Sequence, residues 1–110
     1  MALPAAISSF ERIVGPKELE TDLTLQYTAP GLRRISDIYL TSDSNARTVN
    51  LYVVPVGETP ANSHKLLDTF STIANDVRLV SGLNYAIRQG EMIYTSCSGT
   101  GTKLVMIAYR

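Results

Sequence analysis

Apolar and polar residues alternate with a period of two through most of the chain. In "LTLQY", Leu23, Leu25 and Tyr27 alternate with Thr24 and Gln26. Successive side chains of an extended chain point to opposite faces, so this predicts a half-buried strand with the three apolar residues inward. "APGL" follows, where Pro30 fixes φ and Gly31 accepts a positive φ, and the chain reverses. "RRISDIYLT" predicts the next strand, with Ile38 and Leu40 on one face and Ile35 and Tyr39 nearer the other, ended by the turn formers "SDSN" at 42–45. "RTVNLYVVPV" is β-branched, aromatic and apolar on both faces at Val53 and Val54, the pattern of a central strand covered from two sides. Pro55 lacks an N–H and ends it.

The polar stretch "GETPANS" departs from there as a long loop. In "HKLLDTFSTI", the spacing of Leu66, Leu67, Phe70 and Ile73 suits a helix as well as a strand, but Thr69, Ser71 and Thr72 are poor helix formers, which favours a strand. "DVRLV" pairs next, after Ala74 and Asn75, and "SGLNYAIRQGE" reads as a connection bent at Gly82 and Gly90. "EMIYTSC" and "KLVMIAY" read as a hairpin joined by "SGTG". About seven or eight short strands at spacings near ten residues predict an all-β, single-domain antiparallel β-sandwich or jelly roll. Residues 1–18, with Pro4, Gly15 and Pro16, read as an irregular arm that orders against a neighbour, and residues 19–110 as the sandwich.

A length of 110 residues allows one domain with a real core, and 45% apolar against 18% charged residues is the balance of a chain that folds. Ten basic and ten acidic side chains cancel. That removes the basic face with which recognition of nucleic acid or anionic membrane begins, and with it the repulsion that keeps copies apart. The opening "MALPAAISSF" has neither the basic start nor the apolar run of a signal peptide, so no export is expected. Cys97 stands alone, so the domain holds together without an internal disulfide, as suits a reducing compartment.

Little here points to catalysis. A triad or a zinc site needs His and Cys in company, and the chain offers only His64 and Cys97. Cys97 alternates with Thr95 and Ile93 and reads as a buried thiol, while His64 ends a polar loop and reads as solvated or locally hydrogen-bonded. The carboxylates are scattered, "DSN" at 43–45 lacks the Gly and distal Glu of a calcium loop, and "SGTGTK" joins strands where a phosphate loop would open a helix. No catalytic residue, metal or cofactor is expected. Arg33 and Arg34 form the one basic pair; they suit a solvated sheet edge or the rim of a contact with an acidic surface. The six tyrosines read as core and half-core residues, with Tyr109 placed for an exposed contact.

Three stretches, "LTLQYTAPGLRRISDIYLTS", "TVNLYVVPVGETPANSHKLL" and "GEMIYTSCSGTGTKLVMIAY", carry a further signal in their order of strands and turns. Over residues 20 to 110 the chain resembles the small β-sandwich decoration, or cement, proteins of tailed-bacteriophage capsids. The likeness lies in turns and apolar spacing, and the amino-terminal part does not share it. The resemblance implies a virion protein on the outer surface of the capsid, made in the bacterial cytoplasm, that binds the assembled major capsid protein and stabilises the shell by mass action. It implies loops and arm as contact regions: Leu3, Pro4 and Phe10 in the arm, Arg33 and Arg34, Asp43 and Asn45 at the corner, Glu58, Pro60, Asn62 and His64 in the loop, and Tyr109. Self-association as a dimer, or else a trimer, goes with it. Alternatives are another virion component at the tail or head-tail junction, and a carbohydrate-binding sandwich, which would want exposed aromatic rings and especially Trp, of which there is none.

Overall fold

The structure, a computed structural model, describes residues 10–109. Among these residues nine strands form: β1 (Phe10–Glu18), β2 (Thr24–Thr28), β3 (Arg33–Ser42), β4 (Thr48–Val54), β5 (Lys65–Ser71), β6 (Val77–Val80), β7 (Tyr85–Ile87), β8 (Met92–Cys97) and β9 (Thr102–Tyr109), with a 3-10 turn at Asn62–His64. All pairings are antiparallel. The first sheet runs β1-β9-β3-β6, with β7 also pairing β3, and the second runs β2-β8-β4-β5. The chain is therefore an all-β antiparallel sandwich. It changes sheet at almost every connection, and only β4 and β5 are neighbours both in sequence and in a sheet. This wrapped path is that of a jelly roll, with β7 as an added short strand.

The topology corrects three expectations. "SGTG" does not close a hairpin: β8 and β9 lie in different sheets, so the loop arches across the sandwich. Alternation shows which face of a strand is apolar, but not which strand lies beside it, so a turn and an arch look alike in sequence. Residues 10–18 are not irregular but form β1, paired to β9 from Phe10↔Tyr109 to Glu18↔Lys103; register shifts on either side of Val14 disguise the period of two. The remainder of the expected arm, with Leu3 and Pro4, lies outside the described residues. The stretch read as a connection contains β7, which makes nine strands among the described residues.

Two facing assignments also change, both through β-bulges. An extra residue between Leu25 and Tyr27 places Leu25 opposite Tyr94 on the outer face and Tyr27 opposite Ile93 on the core face. Leu23 and Leu25 are consequently exposed, each 47% accessible. A similar shift between Ile35 and Asp37 brings Ile35 into the core beside Ile38 and Leu40. "HKLLDTFSTI" forms β5, as its threonines and serine indicate.

The core joins Ile35, Ile38, Leu40, Leu104 and Met106 of the first sheet to Val49, Leu51, Ile93 and Cys97 of the second. Removing each large aliphatic side chain from water contributes about 2 kcal/mol against the entropy of ordering the chain. One end of the sandwich is closed by hydroxyls. Ser42 and Thr102 are buried side by side with Thr72. The Arg47 N–H donates to Thr72 Oγ1 (2.7 Å), Thr72 donates to Ser42 Oγ (3.1 Å), and Ser42 donates to the Asn45 carbonyl (2.7 Å). With the Ser42 proton so committed, Thr102 is the donor in its 3.0 Å contact with Ser42. The arch must pass close to this end: Gly101 has φ +102°, and a Cβ there would lie 2.1 Å from Asp43 Oδ2.

Candidate interaction surface

The outer face of the first sheet is apolar because of β9. "TKLVMIAY" turns Leu104, Met106 and Ala108 into the core and leaves Val105, Ile107 and Tyr109 half-buried on the outside. The register then builds rows across the sheet. Phe10, Tyr109, Arg34 and Ala86 stand side by side on β1, β9, β3 and β7. Arg12 and Ile107 form the next row with Asp37, and Val105, Tyr39 and Leu79 another. Among the described residues no strand or helix lies over this face.

The first row holds three of the expected contact residues. The Phe10 and Tyr109 rings lie 5.2 Å apart at a 48° tilt, and Phe10 is 51% exposed. Tyr109 donates its hydroxyl proton to Asn84 Oδ1 at 2.6 Å, which fixes the ring's orientation. Arg34 presents its side chain beside them, whereas Arg33, one residue away, takes the opposite face and is ion-paired with Glu11. The basic pair is therefore split by the pleat. An aromatic pair, Phe10 exposed and Tyr109 half-buried, with an arginine alongside has the composition of residues that carry most of the energy in protein–protein contacts.

The other expected residues fall in two loops at opposite ends of β4. At its start, the Asp43 carboxylate accepts the Asn45 N–H at 3.0 Å and lies 3.7 Å from the Arg47 guanidinium, which donates in turn to the Thr100 carbonyl at 2.6 Å. The corner and the arch thus hold each other. At its end, the loop with Glu58, Pro60 and Asn62 is closed by His64. The Ala61 N–H donates to His64 Nδ1 at 3.1 Å, so the ring proton sits on Nε2, which faces Glu58 Oε1 at 3.2 Å. His64 fastens the loop to itself, and this neutral tautomer is the one the geometry requires.

Val105, Ile107, Tyr39, Leu79 and Val77 are the surface residues that strand-by-strand reading passes over. Their signal is in "KLVMIAY": apolar side chains at both parities in a strand with no helix available to cover its second face. Of chemistry the described residues offer little. They hold no group of three His, Cys, Asp or Glu able to bind a metal, and they enclose no pocket. Cys97 is buried in the core. Asp68 titrates below the ordinary aspartate range, first through the hydrogen bond from Lys65 and then through that from Thr69. It is a surface ion pair on the edge strand β5. Compared with known proteins, the chain matches no family model and no curated sequence.

Proposed function

We propose that this chain is a binding module without chemistry of its own, a virion protein that decorates an assembled bacteriophage capsid through the outer face of its first sheet. The observation that carries the reading is the row of exposed Phe10 with half-buried Tyr109 and Arg34, on an uncovered sheet face beside Ile107 and Val105. A preformed aromatic and arginine patch on a sheet loses little entropy on docking, so it suits a contact repeated over many identical subunits. The likeness in strand and turn order supplies the partner, the major capsid protein in its assembled form. A protein that binds the shell and not the free subunit stabilises the shell by RT ln(1 + [L]/Kd).

The test mixes purified chain with expanded shells and with unassembled coat protein, and sediments each. The chain is expected to pellet with shells only. Tyr109→Ala and Arg34→Glu should each weaken binding at least tenfold, about 1.4 kcal/mol or more, with far-ultraviolet circular dichroism unchanged. Equal binding by wild type and both variants, or no binding to shells at all, would overturn the reading.

A further inference from the structure

We infer that two copies of this chain pair edge to edge through β6, antiparallel across a two-fold axis at Leu79. The inference goes beyond the docking face and does not depend on it. Edge strands offer unpaired backbone groups to any extended chain, and folded proteins blunt them. Here β1, β2 and β5 are each broken by register shifts, β1 also carries Pro16, and β7 is three residues long. β6 pairs β3 in unbroken register from Val77 to Val80, and among the described residues no strand lies on its other side.

The direction of its backbone groups follows from the neighbouring hydrogen bonds. The Ser42 N–H donates to the Asp76 carbonyl, towards β6, and the Asp43 N–H donates to the Gly101 carbonyl, towards β9. N–H groups alternate along a strand, so Ile38 and Leu40 of β3 face β6, and their partners Val80 and Arg78 face back. Leu79 and Val77 therefore turn their N–H and C=O groups to the open side. The Val77 N–H is already taken by its neighbour's carboxylate, Asp76 Oδ1, at 2.8 Å.

Among registers centred within Val77–Leu79, these facts favour one. A pairing centred on Arg78 would set two arginines opposite each other with their backbone groups turned away. A pairing centred on Val77 would use the capped N–H and run into Asn75, where φ is +53° and the strand has not begun. Centred on Leu79, the two Leu79 residues exchange both backbone hydrogen bonds, and the Val77 carbonyl meets the partner's Ser81 N–H. Arg78 is an inward charge of the kind that discourages pairing, but it is already engaged, over the Phe70 ring at 4.1 Å and bonded to the Ser71 carbonyl at 2.6 Å. In this register it lies opposite Val80.

The second copy is favoured as occupant because ten positive and ten negative charges leave no net repulsion. Leu79, 51% exposed, would also cover its own symmetry mate. The contact spans about five residues a side, less than the roughly 800 Å² per partner of a standard interface, so the dimer is weak and concentration-dependent.

The test replaces Leu79 by Cys. In a hydrogen-bonded antiparallel pair the two Cα atoms lie about 5.5 Å apart, within the roughly 4.4–6.8 Å of a disulfide. Under mild oxidation Leu79→Cys should yield a covalent dimer. Val77→Cys, whose symmetry mate lies about 14 Å away in this register, should not, and neither should the wild type with its buried Cys97. Sedimentation of the wild type should show its average mass climb towards twice the monomer value as concentration rises about a hundredfold, and Leu79→Lys should abolish the rise. A wild type that stays monomeric throughout, or cross-linking of Val77→Cys as fast as of Leu79→Cys, overturns the inference.

Discussion

Replacing Ser42 by Ala removes one oxygen and disturbs three partners. Ser42 accepts from Thr72 and Thr102 and donates to the Asn45 carbonyl, so its loss leaves two buried hydroxyls without an acceptor and one carbonyl without a donor. A buried group left unpaired costs about 1–3 kcal/mol, part of it recovered as hydroxyls rotate, so Ser42→Ala should destabilise by about 3 kcal/mol. Thr72→Val keeps the shape but deprives the Arg47 N–H of its acceptor, about 2 kcal/mol. Thr102→Val only withdraws a donor from an oxygen that retains other partners, about 1 kcal/mol. Urea unfolding followed by circular dichroism measures all three; with a slope of about 1.5 kcal/mol/M for a domain of this size, Ser42→Ala lowers the midpoint by about 2 M. The triple variant, in which no hydroxyl remains to be orphaned, should cost clearly less than the sum of the three. If Ser42→Ala cost no more than Thr102→Val, the directed chain of hydrogen bonds would be wrong.

Gly101→Ala should destabilise by about 2 kcal/mol, since a Cβ at φ +102° collides with Asp43, and combining it with Asp43→Ala should recover part of that loss in the same unfolding assay. Leu25→Lys should change stability by no more than about 0.5 kcal/mol, whereas Leu51→Ala, fully buried, should cost about 3 kcal/mol; equal costs would contradict the bulge in β2. Lys65→Met should raise the titration midpoint of Asp68, read by carboxyl NMR, because its leading cause is removed. A lowered carboxylate stabilises above its unfolded value and loses that contribution as pH falls through the folded one, but Asp68 is fully exposed, so the variant should leave the acid-unfolding midpoint nearly unchanged.

The alternation of apolar and polar residues made the all-β class legible, because a half-buried strand must repeat every two residues. The core lists for β4, β8 and β9 follow from it directly, and Cys97 is buried where its parity puts it. What one strand's pattern cannot hold is its neighbour's identity. β8 and β9 carry the right residues for a hairpin, yet each finds its partners among strands distant in sequence. Bulges hid a second layer of information: one extra residue reverses every later side chain, which is why Leu25 and Ile35 each took the other face. The candidate surface was half legible. Phe10, Arg34 and Tyr109 stood out singly by type, but their assembly into one row needs the pairing of β1, β9, β3 and β7.

The placement of β9 bears on how the molecule is made. β9, an interior strand of the first sheet, is synthesised last: β1 has no other partner in that sheet and must wait for it, and β3, which pairs β6 and β7 directly, gains its second neighbour only then. Sheet closure then depends on contacts spanning most of the chain, a route that proceeds in milliseconds to seconds and leaves apolar strand faces open to chaperones meanwhile. A nascent chain stalled before Thr102 should therefore keep β1 protease-sensitive, however long it is held there.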